Sequence, residues 1–91
     1  MNQRFVWLID GGVERKVAVE SVQVGDRIAA HAGEMICVDG RVVSGQASVN
    51  QASITGESNP AMKRKKSPVY AGSVIEVGEI VIEVEKTGKD T

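Results

Sequence analysis

The stretch Ile80-Val81-Ile82-Glu83-Val84-Glu85 decides the fold class, because its side chains alternate in character along the chain. Ile80, Ile82 and Val84 fall on one face, whereas Val81 and both glutamates fall on the other. A period of two residues is that of a β-strand with one face turned toward a core. The stretch therefore predicts a strand that packs its isoleucine and valine face inward.

Similar short runs occur upstream. Residues 4–9 are rich in apolar side chains and end at Asp10-Gly11-Gly12, a strong turn signal, so residues 13–19 are predicted to return as the partner strand. Gly25-Asp26 marks a further turn. Residues 35–38 are predicted to form another strand, with a turn at Asp39-Gly40 leading into the run 41–43.

No segment longer than about ten residues shows helical periodicity. About five to eight short strands with glycine-rich turns predict an all-β, or mainly β, fold that is a small sandwich or barrel. The 91 residues suffice for one small domain. Only 3% of them are aromatic, so the core must consist mainly of aliphatic side chains.

Composition excludes several classes of function. A net charge of −1 argues against a general binder of nucleic acid or anionic membranes. The single cysteine, Cys37, can form no disulfide within the chain and gives no zinc-site spacing, and flanking apolar residues predict that it is buried. No apolar run reaches the roughly 18 to 20 residues of a membrane helix, so the chain alone is predicted to be soluble. His31 lacks partners at ligand spacing and is predicted to have no role.

The stretch Ser53-Ile54-Thr55-Gly56-Glu57-Ser58-Asn59-Pro60 is the candidate functional segment. Gly56 can adopt backbone angles closed to other residues and lets another surface approach. Pro60 biases Asn59 away from helix, so the segment is predicted to be an ordered loop rather than a helix start. Glu57 is then displayed at a loop tip, where binding and catalytic groups are common.

Thr55-Gly56-Glu57-Ser58, followed by Pro60, resembles the TGES loop of the actuator domain of P-type cation-transporting ATPases. The resemblance covers about residues 5–91 in family order, which makes it specific. The further matching segments are Val22 to Ile28, Gly33-Glu34, Val38 to Val43, Val49 to Ile54, Val69 to Ser73, Gly78, and Gly88 to Thr91.

The resemblance implies a distorted jelly-roll-like β core without the flanking helices that family members often add. It implies that residues 1–91 are a single actuator domain, excised from a larger membrane pump. The subclass that it most resembles transports heavy metals, with a lean toward zinc or cadmium because Ser58 stands where many copper pumps have proline.

Carried over residue by residue, the family assigns Glu57 as the base that positions water for hydrolysis of an aspartyl phosphate. Gly56 leaves room for the loop to approach the phosphate. Thr55 and Ser58 supply hydroxyls that hold the loop. No metal or cofactor site in this chain is implied.

The implied partners are the phosphorylation domain, the nucleotide-binding domain and the membrane helices of the same polypeptide. The pump would use ATP and Mg²⁺ at the cytoplasmic face of a membrane. The isolated chain is expected to be monomeric, to bind no nucleic acid and not to hydrolyse ATP, since the phosphorylation motif is absent from it.

Two alternatives remain open at this point. Ala61-Met62-Lys63 is the core of a biotin-acceptor motif, which would make Lys63 the modified residue of a small β carrier domain. A small β interaction module without chemistry is the other alternative. The basic run 63–66 is interpreted as a solvated loop, or else as an electrostatic contact with an acidic domain surface or with lipid headgroups.

Overall fold

The structure, a computed structural model, describes residues 5–57 and 59–87 and consists mainly of β-strands. A short 3-10 turn, Val19–Ser21, follows the second strand, and one helical turn, α1 (Ala52–Thr55), follows the fourth. The strands are β1 (Phe5–Asp10), β2 (Val13–Ala18), β3 (Arg27–His31), β4 (Asp39–Asn50), β5 (Ala61–Lys63), β6 (Pro68–Val69) and β7 (Val74–Lys86).

All strand pairs in the described residues are antiparallel and belong to one seven-stranded sheet. The strand order is β2-β1-β3-β7-β4-β5, and β6 also pairs with β4. One cluster of buried aliphatic side chains draws on β1, β3, β4, β6 and β7. Because one sheet supplies most of one core, it must fold over that core, and the predicted all-β fold is confirmed.

The pairing of β4 with β7, which we call the β4–β7 ladder, is the longest in the sheet. Ile80, Ile82 and Val84 are at most 2% exposed, so the predicted inward face is confirmed. The register shifts at three places along β4, between Asp39 and Gly40, between Val42 and Ser44, and between Ser48 and Val49. Such bulges bend a strand and increase its twist, which helps a long strand follow a small core.

The first hairpin forms as predicted, with β1 and β2 joined through Gly11-Gly12 and with Phe5 opposite Ala18. Arg4, where the sequence places the beginning of the first strand, lies outside the described residues. The predicted turn at Gly25-Asp26 is also present. These local signals are accurate because two-residue glycine turns are specified by the residues themselves.

The predicted turn at Asp39-Gly40 is wrong, because both residues are the first two of β4. Gly40 is buried there, and a β-carbon on it would collide with the backbone carbonyl of Glu83 on β7. The preceding segment 35–38 is not a strand, although Met35 forms an isolated bridge with Val74. The glycine is required by the close approach of β7, and the sequence pattern alone does not distinguish this from a turn.

Within residues 5–57 and 59–87, no helix has the length and apolar character required to cross a bilayer.

Candidate functional site

The candidate site begins with a single helical turn at the end of β4. Thr55 and Gly56 donate backbone hydrogen bonds to the carbonyls of Gln51 and Ala52, each at 2.9 Å. Gly56 ends the turn with φ 78° and ψ −1°, the left-handed conformation that glycine adopts at helix ends. The predicted special backbone angles of Gly56 are therefore confirmed. The prediction of a loop is wrong for residues 53–55, which form the end of this turn, because Pro60 restricts only its immediate predecessor.

We call residues Gln51–Glu57 the α1 loop. Glu57 is exposed, directly after the left-handed Gly56. The Glu57 backbone N–H donates to the Thr55 hydroxyl at 3.2 Å, and that hydroxyl in turn lies 3.2 Å from the Gln51 carbonyl, which accepts its hydrogen. The Thr55 side chain thus fixes the start of the segment that carries Glu57. Ser58, the fourth predicted site residue, lies outside the described residues.

The α1 loop is joined to the sheet by polar contacts. Asn50 Oδ1 accepts the Ala52 backbone N–H at 2.8 Å, and Asn50 Nδ2 lies 3.4 Å from Glu76 on β7. The Ser53 hydroxyl donates to the carbonyl of Gly72 at 2.7 Å. A groove of about 500 Å³ lies beside these contacts. It is lined by Gly33, Met35, Asn50, Ser53, Gly72, Val74 and Glu76.

Sequence reasoning missed the roles of Asn50 and Ser53. An asparagine side chain often accepts the backbone N–H two residues further along the chain, so the contact of Asn50 with Ala52 could have been found from the sequence. The contact between Ser53 and Gly72 joins residues 19 positions apart, and no local pattern indicates it. This long-range contact is accessible only from the folded structure.

The basic run divides into two parts. Arg64, Lys65 and Lys66 are exposed, in agreement with the predicted solvated loop. Lys63 is instead the last residue of β5 and only 8% exposed, with its Nζ 5.6 Å from the centre of the Tyr70 ring. Burial lowers the pKa of its ammonium group. The interpretation of Lys63 as part of a solvated loop is therefore wrong, because the strand register with Ala47 turns its side chain inward.

The burial of Lys63 also argues against the biotin-acceptor alternative. An acceptor lysine must be accessible to the modifying enzyme at the tip of a hairpin. Lys63 lies within a strand and its side chain is covered. This placement contradicts what a carrier domain requires.

His31, for which the sequence predicts no role, is the centre of a polar cluster. Its Nδ1 lies 3.0 Å from Glu34, its Nε2 lies 3.1 Å from Glu14, and Glu79 is 3.8 Å away. Burial lowers the pKa of His31, but the hydrogen bonds and charges of Glu14 and Glu34 outweigh it, so the pKa is raised overall. Trp7 donates to Glu34 at 3.0 Å, which shows that it packs at the rim of the cluster.

Two further observations concern reactive or metal-binding groups. Cys37 is a half-buried free thiol. Its pKa is raised, mainly because the thiol is buried and secondarily because of the charge of Glu34. In the part of the chain that the structure describes, no group of three histidine, cysteine, aspartate or glutamate residues is arranged to hold a metal ion.

Comparison with known proteins places these features in a family. Residues 1–91 match the family model described as the P-type ATPase actuator domain. The chain therefore belongs to this family. The seven-stranded sheet is thus the sheet of an actuator domain.

Two of the relatives are described as ATPases that transport heavy metals. The chain is 45% identical over 84 residues to a copper-exporting P-type ATPase B of Archaeoglobus fulgidus, covering 92% of this chain and 12% of that protein. It is 42% identical over 80 residues to a probable cadmium-transporting ATPase of Listeria monocytogenes, covering 88% of this chain and 11% of that protein. The chain thus spans only a small part of the length of the relatives that it matches.

A solved structure supports the same assignment. The crystal structure of a zinc-transporting PIB-type ATPase in the E2.Pi state superposes with a TM-score of 0.89 and 27% sequence identity. The match covers 98% of this chain and 15% of that one. The fold of this chain is therefore the actuator-domain fold.

Proposed function

We propose that this chain acts as the actuator domain of a heavy-metal P-type ATPase, and that its α1 loop promotes hydrolysis of an aspartyl phosphate on another domain of the same protein. The observation that carries the proposal is the exposed Glu57, placed directly after a helical turn that ends at a left-handed Gly56. A carboxylate in this position can reach a partner surface without disturbing the core.

The proposed chemical step is the hydrolysis of an acyl phosphate. A water molecule attacks the phosphorus atom while the Glu57 carboxylate accepts one of its protons. The bond between phosphorus and the aspartyl oxygen breaks, so that the aspartate leaves as a carboxylate and inorganic phosphate is released. Glu57 contributes by orienting the water and by holding its proton during the step.

The surroundings of Gly56 are suited to docking. A β-carbon placed on Gly56 would meet no other atom within 4 Å, so the described part of the domain leaves this face of the loop open. The absence of a side chain there allows the close approach of a second surface. Thr55 supports the loop through its contacts with Gln51 and Glu57.

Electrostatics restricts when the loop can dock. A carboxylate next to a phosphate is repelled, so docking requires cations on the partner domain that offset both negative charges. We assign ATP and Mg²⁺ to the other domains of the pump. Transfer of the γ-phosphoryl group of ATP to an aspartate there, with release of ADP, would create the phosphorylated partner on which the α1 loop acts.

The proposal names the class of transported ion but does not specify which metal is transported. The relatives named above export copper or are described as transporting cadmium, and the structural neighbour transports zinc. We therefore propose a heavy-metal ion as cargo, and zinc or cadmium stays a prediction from Ser58. Measuring which metal stimulates phosphoenzyme formation in the full-length pump would decide this.

The central test is Glu57→Gln in the full-length pump. Glutamine can hydrogen-bond to the water but cannot take its proton, so phosphoenzyme should form from ATP yet decay about 10²- to 10⁴-fold more slowly. The measurement is a chase of phosphoenzyme labelled with radioactive phosphate. Decay at the wild-type rate would remove Glu57 from the catalytic role.

A matched control is Glu20→Gln, the same change at an exposed glutamate of the 3-10 turn. It should leave the decay rate unchanged. The isolated 91-residue chain, given ATP and magnesium, should form no phosphoenzyme. Labelling of the isolated chain would contradict the assignment of the phosphorylated aspartate to another domain.

A further inference from the structure

The α1 loop has little of the buried apolar packing that usually holds a helix in place. None of the four residues of α1 is buried. A helix of one turn has no stability of its own, because nucleation costs more than its few hydrogen bonds return. The direction in which the loop presents Glu57 must therefore depend on contacts with its surroundings.

Ser53 provides such a contact with a distant part of the chain. Among the side chains of α1 in the described structure, the Ser53 hydroxyl alone donates to a residue remote in sequence, the carbonyl of Gly72 at 2.7 Å. The Thr55 hydroxyl bonds only within the loop itself. Asn50 Oδ1 accepts the backbone N–H of Ala52, the first residue of α1, and Asn50 is only two positions away from Ala52 in sequence.

The acceptor of the Ser53 hydrogen bond belongs to a rigid turn. The backbone N–H of Gly72 donates to Ile36 at 2.8 Å, and the backbone N–H of Ile36 donates to Ser73 at 2.7 Å. Ser73 is completely buried. The Ala71 N–H donates to Asp39 Oδ1 at 2.8 Å. The turn at residues 70–73 is thus fixed to the core segment 36–39 on both sides.

We infer that Ser53 is a positioning residue, which holds the α1 loop against the 70–73 turn and thereby aims Glu57 at the phosphorylated partner. This inference rests on the proposed function of Glu57. Ser53 does not touch the reacting atoms. It acts by limiting the orientations of a helical turn that has no buried residue of its own.

The first test measures the loop in the 91-residue chain itself. In Ser53→Ala the backbone order parameters of Thr55, Gly56 and Glu57 should fall below the rigid value of about 0.85, while those of Ile82 in the core stay unchanged. Ser53→Thr keeps the hydroxyl and should retain the wild-type values. Unchanged order parameters in Ser53→Ala would overturn the inference whatever the activity of the pump.

The second test measures partial reactions in the full-length pump. Loss of one neutral hydrogen bond should slow phosphoenzyme decay roughly 3- to 10-fold in Ser53→Ala. The reason is that the α1 loop adopts the productive orientation in a smaller fraction of the molecules. The rate of phosphoenzyme formation should stay at the wild-type value, which a general loss of folding would not allow. Ser53→Thr should restore decay to within about 2-fold of wild type.

The control is Ser44→Ala, the same truncation at an exposed serine of β4. Phosphoenzyme of this variant should decay at the wild-type rate.

Failure of the two proposals can be told apart. If the phosphoenzyme of Glu57→Gln decays slowly and that of Ser53→Ala decays at the wild-type rate, the positioning role alone is overturned. If the phosphoenzyme of Glu57→Gln decays at the wild-type rate, the proposed catalytic role of Glu57 is overturned. The positioning role of Ser53, which depends on it, is then overturned as well.

Discussion

In the β4–β7 ladder the inward side chains Ile75, Ile80 and Ile82 are at most 2% exposed, whereas no residue of α1 is buried. Both regions nevertheless contain a glycine in the left-handed conformation, Gly78 with φ 91° in β7 and Gly56 with φ 78° at the end of α1. A β-carbon on Gly78 would lie 2.5 Å from the Gln46 carbonyl oxygen, but one on Gly56 would meet no atom of residues 5–57 and 59–87 within 4 Å beyond its two chain neighbours.

Glycine therefore has a different function in each of these two regions. In the ladder the glycine permits two strands of the same chain to approach, so it serves folding. In the α1 loop a β-carbon on the glycine would meet no atom of the described residues beyond its chain neighbours, so packing within the described structure does not require a glycine there. Burial holds the ladder, while a few hydrogen bonds hold the loop. Substitutions should therefore affect stability in the first region and partner-dependent activity in the second.

The largest effect is expected for Ile82→Ala, which removes a completely buried side chain from the ladder. Truncation of a buried isoleucine leaves a cavity and lowers the free energy of unfolding by about 2 to 5 kcal/mol. Urea unfolding followed by far-UV circular dichroism measures this change. Ile82→Val serves as the graded control, with a loss of about 0.5 to 1.5 kcal/mol. Equal stability of Ile82→Ala and wild type would show that the ladder is not the core of the fold.

The paired glycines give the next largest effect. Gly78→Ala adds both backbone strain and a collision with Gln46, so the free energy of unfolding should fall by about 2 to 4 kcal/mol. Gly56→Ala adds strain alone and should cost about 1 to 2 kcal/mol. In the full-length pump, however, Gly56→Ala should slow phosphoenzyme decay because its methyl group obstructs docking. Equal losses of stability for the two variants would contradict the contrast between a packed and an open glycine.

The smallest effect is expected at His31, where a polar contact on the outer surface joins the ladder residue Glu79 to Glu14 and Glu34. Although burial opposes it, these carboxylates raise the pKa of His31 above its ordinary value of about 6.5. The folded state thus favours the imidazolium. The resulting stability is fully present below about pH 6.5 and is lost as the pH rises through the folded pKa.

The difference in unfolding free energy between wild type and His31→Gln should therefore be larger at pH 6 than at pH 8.5, and stay under about 1 kcal/mol. Since His31 is the only histidine in the chain, its imidazole signals can be assigned directly in an NMR titration. A measured pKa at or below about 6.5 would show that the glutamates do not dominate its environment.

Local signals in the sequence predict much of the fold. The alternation over residues 80–85 and the Gly11-Gly12 turn are both found in the structure, because side-chain period and turn chemistry depend on neighbouring residues. The pattern fails at Asp39-Gly40, where a glycine that resembles a turn residue is required by a strand distant in sequence. It fails again at Lys63, whose burial follows from the register with β4 and not from the charges beside it.

The candidate site shows the same division. The sequence by itself determined the actuator family, the all-β fold and the segment that displays Glu57, because a four-residue motif within matching flanks is a linear property of the chain. Only the tertiary structure placed Gly72 beneath Ser53 and left α1 without buried residues. The reason is physical: a hydrogen bond between residues 19 positions apart depends on where two turns of the sheet come to lie, and that position is set by packing of the whole core.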